Sequence, residues 1–336
     1  MSAFRKPCTM WQTLLAMALC ATALAGCHAD RTPDSRVGPS SIPPSLPPTF
    51  REAVARELEK GPADVTDRDV ATVTAISLLG ADVTDLAPLG RMPALRVLDL
   101  RYTPVADVSP IAGLRDLWWL NLEGTRVANL QPIARLPNVT KLFLTDTRVA
   151  DLGPIAGYVH LRSFSCEGTA VADLGPLAGA ADLWFFWCDR TRVSDLSPLA
   201  GMKALRRLSA RNTPVSTLQP LADLRNLEDV SLTGTRVKDL APVAAWKRLR
   251  RLSLAGTGVA DLTPLAGLEA LEWLDVSDTP VSDLAPLAGL KRLTHLNISH
   301  TRVRNLQPLK GLPRLEQILL RGAPAVRAAP APPPDE

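Results

Sequence analysis

Five aromatic side chains of this 336-residue chain, Trp119, Phe143, Phe185, Trp187 and Trp273, fall in a register that a regular strand pattern turns toward solvent. Aromatic residues make up only 4% of the sequence, so their concentration there carries information. Glu123, Glu167 and Asp189 share that register, and Arg207 and Arg211 follow at its end. Rings rimmed by charge have the composition of a protein contact surface, in which the rings supply rigid buried area and the charges sort partners. The same rings could stack sugar faces, or they could pack on each other across strands and only stabilise a sheet.

Catalytic chemistry finds little support. The histidines His28, His160, His295 and His300 are scattered, and His295 and His300 lie near Ser299 without a carboxylate spaced to orient a base. The sequence has no Cys-x-x-Cys pair, no glycine loop of the phosphate-binding kind and no paired histidines, so neither a metal nor a cofactor is expected. With 38 basic and 34 acidic side chains interspersed, no basic stripe points to nucleic acid.

The elements that position the aromatic register come from one repeated unit. Prolines recur at 88, 110, 132, 154, 176, 198, 220, 242, 264, 286 and 308, always 22 residues apart. Apolar residues occupy the positions 15, 12, 10, 5 and 2 before each proline, as Leu271, Leu274, Val276, Val281 and Leu284 do before Pro286. This period predicts stacked coils, each a short parallel strand, a turn at the threonine seven before the proline, and a 3₁₀ segment at Asp-Leu-x-Pro. The outward strand positions, 13, 11 and 9 before the proline, then form one continuous face, which holds the five aromatic residues and the five charged ones named with them. Tyr158 and Trp246 fall where other coils have leucine or methionine and belong to the core.

The spacing Leu-x-x-Leu-x-Leu-x-x-Thr over residues 50–322 resembles the leucine-rich repeat, and the unit with Asp-Leu-x-Pro-Leu is similar to the internalin-like class of bacterial repeats. The resemblance implies an α/β solenoid: a horseshoe with short parallel strands on the concave face, turns and 3₁₀ segments on the convex face, and an N-terminal helical cap. Residues 50–72, with Phe50, Val54 and Leu58 at helical spacing before Gly61-Pro62, read as that cap, and 73–322 as the repeat domain. This chain departs from the family in carrying threonine, Thr103 to Thr301, where the family has asparagine. A ladder of stacked hydroxyls along an inner edge is expected, with a structural role in preference to ice binding. Eight aspartates three before the prolines could suggest calcium, but Asn129, Thr217 and Asn305 substitute for them, which fits capping of backbone N–H groups better. Arg126, Arg148, Arg192, Arg236 and Arg302 read as a solvated edge.

The termini carry separate signals. Residues 1–26 contain Arg5, Lys6 and the mostly apolar run Leu14 to Ala25, the pattern of a secretory signal peptide. Leu24-Ala25-Gly26-Cys27 resembles the lipobox of bacterial lipoproteins, which implies acylation of Cys27 and, with His28 in place of aspartate, the outer membrane. Residues 27–49 then form a Pro-rich tether of roughly 60–70 Å reach at about 3.1 Å per residue. Residues 323–336, rich in Pro and Ala, are expected to be disordered. Cys166 and Cys188 occupy the same inward position of adjacent coils, with Cα atoms about 4.8 Å apart. Buried thiols standing in for leucine is the preferred reading, and a disulfide the other.

Together these signals read as a non-enzymatic, lipid-anchored exported repeat protein that contacts a macromolecule, a protein before a glycan, on its concave face. Its membrane side, periplasmic or surface, stays open. A secreted virulence effector or host-cell adhesin is the alternative, and a structural envelope spacer a further one.

Overall fold

The structure, a computed structural model, describes residues 46–322. The signal peptide, Cys27, most of the tether and the C-terminal tail lie outside the described residues.

Twelve three-residue strands form one parallel sheet in sequence order. They are β1 (Ala75–Ser77), β2 (Val97–Asp99), β3 (Trp119–Asn121), β4 (Lys141–Phe143), β5 (Ser163–Ser165) and β6 (Phe185–Trp187). The second half comprises β7 (Arg207–Ser209), β8 (Asp229–Ser231), β9 (Arg251–Ser253), β10 (Trp273–Asp275), β11 (His295–Asn297) and β12 (Gln317–Leu319). Every pairing joins a residue to the one 22 later, as Leu120 to Leu142 and Phe164 to Phe186. Because the coil has constant length, each inward side chain stacks on its counterpart and the core becomes a set of aliphatic columns, buried from Leu98 through Ile298. Phe164 and Phe186 continue one column as stacked rings, 5.9 Å apart and 3° from parallel.

The prolines explain the convex side. In each coil Pro occupies the first turn of a 3₁₀ segment, for example Ser197–Leu199, where its missing N–H leaves no bond unmade. The residue three before the proline accepts a hydrogen bond from the backbone N–H two residues on: Asp85 from Ala87, Asp195 from Ser197 and Asp283 from Ala285, each at 2.8 Å. Asn129, Asn305 and Thr217 do the same at 2.9, 2.9 and 3.2 Å. This is the capping role expected of that column.

The threonine column differs in detail from the expectation. Each buried hydroxyl donates to the carbonyl three residues earlier in its own coil, Thr103 to Leu100 at 2.8 Å and Thr191 to Cys188 at 2.6 Å. The hydroxyls therefore lock each turn individually and do not bond to one another as a ladder. A short side chain reaches its own turn more readily than the next coil.

One further column sits eight residues before the proline and has positive φ in every coil, from +53° at Asp146 to +70° at Gly124. Glycine, aspartate and asparagine hold eight of the eleven positions preceding a series proline, and Tyr102, Arg190 and His300 adopt the same left-handed geometry.

Two helices precede the sheet, α1 (Pro48–Glu57) and α2 (Asp67–Thr72), with a 3₁₀ turn at Pro62–Asp64 between them. Phe50 and Val54 are buried on α1, as their helical spacing predicts, although the helix starts two residues earlier than expected. At α2 the Thr66 hydroxyl accepts from the Asp69 N–H and the Asp69 carboxylate from the Thr66 N–H, a reciprocal capping box. Tyr158 and Trp246 are core, each donating to the carbonyl 25 residues earlier, Ile133 and Leu221. Cys166 and Cys188 are free, fully buried thiols.

Candidate contact surface

The open face of the sheet carries three columns of side chains. The central one is mostly small or polar, with Asp99, Asn121, Ser165, Ser209, Ser231 and Ser253 all buried between their neighbours. Diagonal bonds tie it to the next column: Thr145 with Ser165 at 2.7 Å, Thr233 with Ser253 at 2.7 Å, and Ser209 donating to Asp189 at 2.5 Å. Near the N-terminal end, Arg101 grips the fully buried Asp99 carboxylate with two donors at 2.9 and 2.7 Å. The surface is therefore pre-organised.

Sequence reasoning places the aromatic residues on this face, and the structure divides them. Trp119 and Phe143 pack together on β3 and β4, with ring centroids 5.8 Å apart. They are 5% and 3% exposed, so the expectation that they stand open to solvent is corrected. Each ring covers the other, and Val97 and Lys141 flank Trp119 across the strands, which buries the pair. Phe185 and Trp187 remain half-buried on β6, 6.0 Å apart, and the Arg207 guanidinium lies 5.1 Å above the Phe185 ring. Asp189 is buried and accepts from the Ser209 hydroxyl and the Arg211 N–H at 2.8 Å. Trp273, half-buried on β10, stands four strands beyond β6 and belongs to a different part of the face.

Glu167 and Asp189 lie in neighbouring coils. The Glu167 carboxyl is pushed up to about 7, first by burial and then by the negative charge of Asp189, while Arg190 pulls the other way. Glu123, on the same column, bonds the Tyr102 hydroxyl at 2.6 Å. Phe185, Trp187, Glu167, Asp189, Arg207 and Arg211 are thus brought together across β5 to β7.

Two indoles escaped the sequence reading. Trp118 and Trp184 precede β3 and β6, at the margin of the face. Trp184 is 36% exposed and rests on Phe185 at 5.4 Å, and Lys141 lies 5.3 Å from the Trp118 ring centre. Arg96, Thr140, Arg162 and Arg206 occupy the same column in other coils, and that polarity is the signal that marks it as solvent-facing.

Among the described residues the histidines make only isolated contacts. His160 lies 3.5 Å from Asp182 at the exposed surface, and His295 contacts the hydroxyl of Thr294 at 2.8 Å. Among the described residues no cluster of three or more metal-ligating side chains is present, and no helix is long and apolar enough to cross a membrane. The arrangement offers rings, hydrogen bonds and charges for contact.

The backbone is similar to that of an internalin (inlF) from Listeria monocytogenes, with a TM-score of 0.78, 25% sequence identity and 82% of each chain covered. A second internalin, C2 (inlC2), from the same species is 29% identical with a TM-score of 0.58, over 60% of this chain and 90% of that one. A leucine-rich-repeat protein of Leptospira interrogans shares the fold at 17% identity and a TM-score of 0.62, over 69% of each chain. No protein-family model and no curated protein matches the sequence. The chain folds as a leucine-rich-repeat solenoid of the kind seen in bacterial internalins.

Proposed function

We propose that the protein is a non-enzymatic recognition module, exported and lipid-anchored at the outer membrane, that binds another protein on the concave face of its sheet. The observation that carries this reading is the half-buried Phe185–Trp187 pair with Arg207 stacked on one ring and the fixed Asp189 beside it. Rigid aromatic area next to oriented charge is what a binding hot spot requires, and the hydrogen-bonded columns around it need no reordering on contact. Export rests on the apolar run Leu14 to Ala25 and anchoring on Leu24-Ala25-Gly26-Cys27.

The test is photocrosslinking in living cells from Trp187 replaced by a photoreactive residue, beside a second probe at Ala178 after a 3₁₀ segment. Capture from 187 alone is expected. Capture from 178 alone would remove the site, and an interaction untouched by combined Trp119→Ala and Trp187→Ala would favour a spacer role. Similarity to internalins supports a second reading, a secreted effector or adhesin. Lipid on Cys27 in a membrane fraction supports the anchored form, and soluble protein in the medium the secreted one.

A further inference from the structure

The margin where the strands begin has a composition that the rest of the face lacks. Taking the residue before each strand and the first residue of it, from β2 to β7, gives Arg96, Lys141, Arg162, Arg206 and Arg207 with Trp118, Trp119, Trp184 and Phe185, and no carboxylate. From β8 onward the same two columns bring in Glu228, Asp229, Glu272 and Glu316, and Arg250 is neutralised by Glu272 at 2.8 Å. The cation–aromatic strip is therefore confined to six coils.

Within it two arginines, Arg162 and Arg206, are at most weakly paired. Arg162 has no side-chain partner among the described residues, and its charge adds to burial in lowering the pKa of Lys141. Arg206 has only Glu228 at 3.7 Å, an exposed and loose pair. Between these two arginines, one coil from each, stands Trp184, the most exposed indole among the described residues. An open groove of about 450 Å³ runs past it, lined by Arg162, Trp184, Arg206, Asn226 and Arg248, with Asp182 the single carboxylate of its wall.

We propose that this margin binds a linear anionic polysaccharide, one carrying uronic-acid carboxylates, laid along the stacking axis. The geometry supports this occupant in three ways. The groove is open to solvent, so it admits a chain that continues beyond it. Its cations recur in one column, Arg162 and Arg206 being two strand steps or about 9.6 Å apart, which suits charges repeated along a polymer. The indoles, three steps or about 14 Å apart, offer a flat apolar face only at intervals, and a pyranose chain presents a C–H face at intervals too. Single-stranded nucleic acid, by contrast, stacks base after base and prefers a continuous aromatic platform. The proposal goes beyond protein binding at Phe185–Trp187, because its anchors, Arg162, Trp184 and Arg206, form the strand-start margin, which meets that cluster only where Trp184 rests on Phe185.

The experiment uses the full chain and titrates polygalacturonate, its fully methyl-esterified form, poly-L-glutamate and oligothymidylate, following tryptophan fluorescence and calorimetry at two salt concentrations. Polygalacturonate is expected to bind, to weaken with salt, and to lose at least about tenfold in affinity on esterification, the scale of one charge-assisted contact. Trp184→Ala and the double variant Arg162→Ala with Arg206→Ala should each weaken it about tenfold, Trp184→Phe should retain it, and Arg314→Ala should leave it unchanged. All are surface positions, and thermal unfolding checks each variant. Failure of polygalacturonate to bind, equal binding of the ester, indifference to Trp184→Ala, or tighter binding of poly-L-glutamate or oligothymidylate would each overturn the proposal.

Discussion

Arg190 reaches across an intervening coil to place its guanidinium 3.0 Å from the carboxylate of Asp146. The coil between them contributes Gly168, at φ +66°, and a Cβ built there would lie 2.0 Å from the Asp146 oxygen and 3.1 Å from Arg190. Glycine thus answers two needs, a left-handed backbone and space for a bridge overhead. Gly168→Ala should destabilise the fold by about 1–2 kcal/mol from backbone strain alone, with the displaced carboxylate adding to it. Asp146→Ala should cost less than about 1 kcal/mol, since both partners are largely exposed. Urea unfolding of the two variants gives the order directly, and a smaller loss for Gly168→Ala would refute it.

The Thr191 hydroxyl is buried and donates to the Cys188 carbonyl at 2.6 Å. Thr191→Val keeps the volume but leaves that carbonyl without its donor, and should lower stability by about 1–3 kcal/mol. Because a repeat array couples neighbouring coils, hydrogen exchange at Cys188 and Arg190 should rise more than at β11. Uniform loosening of all coils would contradict a lock acting turn by turn.

Much of this was readable from the chain because period and burial coincide. An unbroken 22-residue step fixes which side chains stack, so the inward leucines, the 3₁₀ prolines and the core positions of Tyr158 and Trp246 follow from counting. Exposure on the outer face does not follow. Trp119 and Phe185 hold equivalent positions, yet the first is covered and the second half-open, because that depends on what lies across the strands: Val97 and Lys141 for one, Ser163 and Arg207 for the other. The left-handed column was legible in its glycines, aspartates and asparagine, but Tyr102 and Arg190 masked it. Spacing gives the position of a threonine hydroxyl and not its partner, so the ladder expected along the inner edge is instead a set of separate turn bonds.

Asp195 illustrates how much of a side chain the caps use. One carboxylate oxygen accepts from the Ser197 N–H, and bonding to Ser197 holds its pKa below the usual range. The bond needs an acceptor and not a charge, as Asn129 and Asn305 show in their own coils. Asp195→Asn should therefore be nearly silent in thermal unfolding at neutral pH, and Asp195→Ala clearly destabilising. The sign with acid follows from the lowered pKa: the contribution is present above the unfolded-state pKa and lost as pH falls through the folded one. Asp195→Asn should remove that acid-dependent part, and a metal-ligand role would instead show as a loss of stability in Asp195→Asn only when calcium is present.

Glu167 has the opposite sign. Burial, then the charge of Asp189, raise its carboxyl from 4.5 to about 7, so the folded protein holds a proton there that the unfolded chain releases. Its contribution to stability is complete below pH 4.5, declines as pH rises between 4.5 and about 7, and reaches its least favourable value above that. Glu123 and Asp189 act in the same direction and Arg190 against it. Glu167→Gln keeps the shape without the charge, and should flatten this stretch of the stability profile and raise the urea midpoint at pH 8 relative to the parent. The same proton sits beside the Phe185–Trp187 contact surface, so a cationic partner should gain affinity from pH 6 to pH 8 in the parent and much less in Glu167→Gln. A pH profile identical in the two proteins would show that the Glu167 carboxyl does not titrate between pH 6 and pH 8, and the Glu167–Asp189 pair would then have no part in tuning the surface.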